Sequence, residues 1–216
     1  MTPDTRPDDT SPRTPAAAWQ RLREGNARFV SGESLHPNQD ASRRQSVAGG
    51  QNPFAVIFGC SDSRLAAEII FDLGLGDAFV VRTAGQVIDD AVLGSIEYSV
   101  ANLGTPLIMV LGHDSCGAVT AAHDVAGSGQ MPRGFQRDLI ERIMPSVLET
   151  QRSGHQDVNA AVVEHTKQTA SRLMEQSRVI ADAVSNGDVA VVGVFYHLED
   201  GEAELVHGHG TWLPGR

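Results

Sequence analysis

The chain contains only two cysteines, Cys60 and Cys116, among 216 residues. That excludes a disulfide framework, and in a cytosolic-looking chain two cysteines point to ligand or nucleophile roles. Positive charge is also scarce. Seventeen Lys and Arg face 27 Asp and Glu, for a formal net charge of -10, which argues against nucleic acid as a partner because phosphate binding needs basic patches. No apolar run approaches the roughly 18 residues of a spanning helix, so no membrane partner is expected. The N-terminus offers Thr, Pro and Asp where a signal peptide needs an apolar core. No export signal is visible there, and a cytoplasmic location is expected. Gly-x-Gly-x-x-Gly and Walker-type loops are missing, and Leu73-Gly74-Leu75-Gly76 precedes a strand and reads as a turn.

What remains suits one α/β domain, since 41% hydrophobic content can bury a core. Residues 1–13 are polar and Pro-rich and are expected to form a disordered tail, leaving 14–216 as a single domain. Thr14-Pro15 starts a helix, with Trp19, Leu22, Phe29 and Val30 along one side and an end near Gly32. Its aromatics would need cover, for which a second subunit is a candidate. Strands are predicted over 54–58, 78–82, 107–111, 189–196 and 202–206. Helices are predicted over 65–72, 90–102, from 115, and across 133–186 with a break at Ser153-Gly154; a short one is placed at 42–48. Asp200-Gly201 between the last two strands signals a hairpin. The expected fold is therefore a mainly parallel β-sheet of four parallel strands plus an antiparallel edge strand, flanked by helices. An N-terminal helical arm is expected to pack on a neighbouring subunit.

The chemistry gathers after two strands. Cys60-Ser61-Asp62-Ser63-Arg64 follows the first, and His113-Asp114-Ser115-Cys116 follows the third. If those strands are parallel neighbours, their C-terminal ends bring Cys60, His113 and Cys116 together, at the edge where open α/β sheets build sites. Two thiolates and an imidazole form a zinc set that leaves the fourth position open. The plainer alternatives are two buried apolar thiols or a redox pair. Neither accounts for His113. Asp62 could orient a zinc-bound water or bind the metal itself, and Arg64 competes for its carboxylate as a bidentate partner. His207 and His209 alternate on one face of the last strand and could ligate metal, although a solvated strand end is expected. The remaining histidines read as surface or satisfied polar positions.

Cys-Ser-Asp-Ser-Arg, then Arg82-Thr83-Ala84-Gly85, then Gly112-His113-Asp114-Ser115-Cys116-Gly117 resembles a β-class carbonic anhydrase of bacterial type. The resemblance runs from about Trp19 to the C-terminal strands. It implies a Zn2+ enzyme that hydrates carbon dioxide to bicarbonate, working as a homodimer or homotetramer. It assigns Cys60, His113 and Cys116 to zinc and Asp62 with Arg64 to a catalytic dyad that orients a zinc-bound hydroxide. It implies substrate-facing roles for Gln51, Phe79, Ala84 and Tyr98, some supplied by a partner subunit, and for the backbone of Gly117. It also implies a closed state, favoured at lower pH, with Asp62 as fourth ligand. Competing readings are hydrolysis of carbonyl sulfide or carbon disulfide on the same scaffold, and a non-catalytic zinc-stabilised protein.

Overall fold

A computed structural model describes residues 11–211. Helix α1 (Pro15–Ser31) starts where expected: Thr14 Oγ1 accepts from Ala17 N, Pro15 occupies the first turn, and Gly32 ends the helix at φ 74°. Helix α2 (Ala41–Ser46) follows, capped by Asp40. Then come strand β1 (Ala55–Cys60), helix α3 (Ala67–Ile70), strand β2 (Ala78–Thr83), a short 3-10 turn (Ala84–Gln86), helix α4 (Asp90–Leu103), strand β3 (Leu107–His113) and helix α5 (Gly117–Ser128). Helices α6 (Gln136–Arg152), α7 (Val158–Gln176) and α8 (Arg178–Ser185) lead to strands β4 (Ala190–Tyr196) and β5 (Ala203–His209). Of the expected tail, residues 1–10 lie outside the described residues; Arg13 is tied down by a 2.7 Å bond from Nη1 to Asn52 Oδ1.

The sheet runs β2-β1-β3-β4-β5. The first four strands are parallel and β5 is antiparallel to β4. The chain passes from β1 to β2 on one side, then crosses to β3 on the other, so the strand order reverses between β1 and β3. A crevice at the carboxyl ends of such strands is the ligand position in open α/β sheets. Alternation splits the core. Ile57, Met109 and Val192 face one apolar cluster, while Val56, Ile108 and Val191 face the other.

Three strands extend past their apolar runs. Beyond the predicted ends, Cys60 pairs with Thr83 and His113 pairs with Tyr196, so both side chains sit on the last residue of a strand, not in a loop. Gly59 is paired on both sides, to Arg82 and Leu111, and Gly112 is carried on by β4 alone through Phe195, none of which hydrophobicity marks. Strand β5 likewise runs through His207 and His209, paired to Gly193 and Val191. A second helix break, at Ser177, was not visible as a glycine or proline. There the serine hydroxyl caps α8 by accepting from Ile180 N and donates to Glu97 Oε1 at 2.6 Å.

The N-terminal arm finds much of its cover at home. Trp19 and Leu22 are buried in the chain's own core. Asn26 donates to the carbonyls of Ile70 and Gly201 and accepts from Ala203 N, which fastens α1 to α3 and to the start of β5. The Trp19 side chain therefore needs no second subunit. Apolar side chains that remain exposed among the described residues include Val30 on α1 as well as Leu35, Ile69, Tyr98 and Phe135.

Candidate metal centre

The last residues of β1 and β3 and the residue preceding α5 meet in one place. Cys60, His113 and Cys116 offer one ligand atom each, and these atoms all lie within 4.8 Å of one another. The two sulfurs are 3.9 Å apart. Two sulfurs each about 2.3 Å from a tetrahedral zinc lie roughly 3.8 Å apart, so the pair is already at chelating distance. His113 is fully buried. Its Nδ1 lies 2.8 Å from the Asp114 carbonyl oxygen. A carbonyl only accepts, so the proton sits on Nδ1 and the lone pair on Nε2. That Nε2 is buried with no hydrogen-bond partner. A buried orphan acceptor facing two thiols is costly unless a cation fills the gap. The residues fit zinc.

Backbone geometry prepares the thiolates. Gly85 N–H donates to Cys60 Sγ at 3.3 Å from the turn after β2, where Gly85 holds φ 67°. Cys116 caps the N-terminus of α5, whose first amides favour its anionic form. The two sulfurs lie within hydrogen-bond reach, and either can donate to the other. Cys60 is pulled down to about 4, first by the hydrogen bond with Cys116, against burial, and further by His113 and the amides of Gly85 and Asp62. The same shared bond, with burial, pushes Cys116 up. A dication held by this pair would displace their protons and leave both sulfurs as thiolates.

Asp62 lies beside this group, held by Arg64. Arg64 Nε and Nη2 donate to the two carboxylate oxygens at 3.0 and 2.7 Å, and the Arg64 amide adds a third bond at 2.9 Å. The guanidinium holds the Asp62 carboxyl far below the usual carboxylate range, with help from the amide and from His113. Asp62 is therefore an anion, and an acceptor, throughout the neutral range.

The sequence profile of the carbonic anhydrase family matches residues 55–203. A protein of Mycobacterium tuberculosis named carbonic anhydrase 2 is 56% identical over 191 residues, covering 88% of this chain and 92% of that one. A carbonic anhydrase of Mycolicibacterium smegmatis is 54% identical over 191 residues, covering 88% and 93%. Among solved structures, a tetrameric β-carbonic anhydrase of Sordaria macrospora superposes with a TM-score of 0.69 at 22% identity, covering 89% of this chain and 98% of that one, which supports the fold. The chain belongs to the β-class carbonic anhydrase family. Like the family, it is a zinc enzyme by class, with a Cys60-His113-Cys116 group able to take the metal.

The remaining sites that the β-carbonic anhydrase resemblance assigned fall into two groups. Ala84 adjoins Gly85, which touches Cys60, and Gly117 follows Cys116 directly, so both stand at this chain's own metal group. Gln51 precedes β1 and is exposed. Phe79 pairs with Val56 near the start of β1 and lies 6.4 Å, ring to ring, from the half-exposed Tyr98. Val56 and Cys60 are four residues apart on a strand, or about 13 Å at 3.3 Å per residue. Gln51, Phe79 and Tyr98 therefore stand at the opposite end of β1 from the metal group of the same chain.

Two supporting residues had no assigned role in the sequence. Arg82 donates from Nε to the Cys60 carbonyl at 3.0 Å and from Nη2 to the Asp62 carbonyl at 2.6 Å, clamping the loop that carries both side chains. Its place in Arg82-Thr83-Ala84-Gly85 was the available signal. His165 on α7 is buried and donates from Nε2 to the Gly85 carbonyl at 2.8 Å, behind the amide that reaches Cys60. Nothing in the sequence separates it from the other histidines.

Burial pushes the His165 pKa down from 6.5 to about 4, and the Arg172 charge lowers it further, against the Gly85 carbonyl and Cys60. Folded protein therefore keeps His165 neutral where the unfolded chain takes up a proton. Its contribution is complete above about pH 6.5 and is lost as pH falls toward 4. At pH 5 this should cost about 2 kcal/mol relative to pH 7.5. Urea unfolding at both pH values, on wild type and His165→Gln, checks it, and the pH sensitivity should be smaller in the variant.

Proposed function

We propose that this chain catalyses the zinc-dependent, reversible hydration of carbon dioxide to bicarbonate and a proton. The observation that carries the reading is the buried donor set: two thiols and an unpartnered imidazole nitrogen at the sheet's switch point, beside a carboxylate engaged by an arginine. Three donors leave one tetrahedral position for solvent, and zinc held there supplies the acidity that brings a coordinated water to a pKa of about 7. The rest falls to the chain. Asp62, anionic and braced by Arg64, accepts a hydrogen bond from the attacking oxygen and aims its lone pair at the carbon of carbon dioxide. Arg82 fixes the loop so that this direction is kept. The amide of Gly117 and the methyl of Ala84 border the space where substrate sits. The products are bicarbonate and a proton, and the proton passes to buffer.

The working unit in this reading is a dimer at least. Gln51, Phe79 and Tyr98 line the partner's pocket, since they lie too far along β1 to line their own. Exposure of Tyr98, Leu35 and Phe135 supports a buried contact between copies. The N-terminal arm reaches toward the neighbour with its outer face. The description of the Sordaria macrospora enzymes as tetrameric supports a doubled dimer. Residues 14–216 act as one domain and work in the cytoplasm. Among the described residues no helix is long and apolar enough to cross a membrane.

The same residues allow a closed state. In such a state Asp62 would leave Arg64 and serve as a fourth ligand to the metal. Lower pH would favour closure, since less hydroxide would be available to compete with the Asp62 carboxylate. Activity is expected to rise between about pH 7 and 8.5. Stopped-flow hydration of carbon dioxide from pH 6.5 to 9, with carbonyl sulfide and carbon disulfide run in parallel, tests both parts. A flat profile removes the switch. Turnover of the sulfur gases without carbon dioxide replaces the substrate, and no turnover at any pH leaves only a structural zinc.

A further inference from the structure

His207 and His209 were expected at a solvated strand end. Instead they sit within β5, half-buried under α7. Their Nε2 atoms are 3.1 Å apart, and Ser171 Oγ on α7 lies 3.3 Å from each. We propose that His207, His209 and Ser171 form a second metal site, taking a borderline divalent cation of the zinc, nickel or copper type.

The spacing is that of a chelate. Two imidazole nitrogens about 2.0–2.1 Å from one ion, at an angle between a right angle and a tetrahedral one, lie roughly 2.9–3.4 Å apart. The observed separation falls inside that window. The ring planes stand at 85° with centroids 4.7 Å apart, an edge-to-face pair with the two Nε2 atoms brought close. Alternation along β5 puts both rings on one face. Gly193, opposite His207, leaves room for this: a Cβ there would stand 3.2 Å from the His207 Cβ. Imidazole suits zinc, copper and nickel, and the Ser171 hydroxyl lies within reach as a third donor. The net charge of -10 raises the local concentration of cations.

The site is separate from the catalytic one. His113 pairs with Tyr196 at the end of β4, whereas His209 pairs with Val191 near its beginning, one strand farther out. Among the described residues only the Cys60 group gathers three Cys, His or acidic ligands. The second site is therefore the weaker. A cation there ties the edge strand to α7 and stabilises the native state by mass action.

Tag-free protein already holding one zinc per chain is titrated with zinc by calorimetry, and its melting temperature is followed alongside. A second equivalent per chain is expected, with a rise in melting temperature. His207→Gln and His209→Gln should each weaken that second equivalent by roughly tenfold or more. The first zinc and carbon dioxide hydration should stay unchanged in both. Copper(II) added to the wild-type holoenzyme should give an electron paramagnetic resonance spectrum with two imidazole nitrogens, a readout that needs no variant to fold. The proposal is overturned by no second equivalent up to millimolar zinc, by a second equivalent that survives both substitutions together, or by a copper signal with fewer than two nitrogens.

Discussion

Cys60→Ser and His113→Ala should each release the zinc and reduce carbon dioxide hydration roughly a thousandfold or more, since the metal's activation of water is lost with it. A hydroxyl in place of the Cys60 thiol is not ionised at neutral pH, so the dication loses a charged ligand and the Gly85 amide loses its anionic acceptor. His113→Ala removes the one nitrogen in the set and opens a void at a fully buried position. Both proteins should fold, because β1 and β3 keep their ladders on both sides. The check is zinc per chain by plasma mass spectrometry alongside stopped-flow hydration. Metal-free protein with wild-type turnover would dispose of the proposed mechanism.

Asp62→Asn and Arg64→Ala should also lose activity, by roughly a hundredfold or more, but with one zinc per chain retained. An amide at 62 keeps the size of the carboxylate but presents N–H donors where an acceptor is needed. In Arg64→Ala the carboxylate survives without its brace, free to turn to the open metal position. Arg64→Lys should recover only part of the loss, since an ammonium cannot match both oxygens as the guanidinium fork does. Arg64 is about half exposed, so its removal should disturb reactivity far more than folding. Zinc content separates these variants from the ligand variants: turnover falls in both groups, the metal leaves in only one. If Asp62→Asn hydrated carbon dioxide at the wild-type rate, the orienting role would be wrong even with the zinc site intact.

Much of this was legible in the sequence because chemistry and topology pointed the same way. Cys60 and His113-x-x-Cys116 each follow an apolar run, and parallel pairing of those runs is enough to bring them together. Asp200-Gly201 disclosed the hairpin and so the antiparallel edge. What stayed hidden depends on contacts between distant segments. The Gly85 amide and His165 behind it act through hydrogen bonds across separate elements, and a lone histidine in a helix carries no mark of that duty. Strand periodicity put His207 and His209 on one face but said nothing of α7 lying over them. Trp19 looked like an aromatic awaiting a partner because the sequence does not show that α1 folds back onto its own core. The ends of β1 and β3 were missed by two residues, for the reason that a strand ends where its neighbours stop pairing, not where hydrophobicity stops.

The most direct measurement is X-ray absorption at the zinc edge on protein loaded with a single equivalent at pH 8.5. Two sulfurs at about 2.3 Å and two nitrogen or oxygen neighbours at about 2.0–2.1 Å are expected, with one sulfur lost in any Cys60→Ser protein that can be forced to bind metal. A shell built only of nitrogen and oxygen would mean that zinc sits somewhere other than between Cys60, His113 and Cys116.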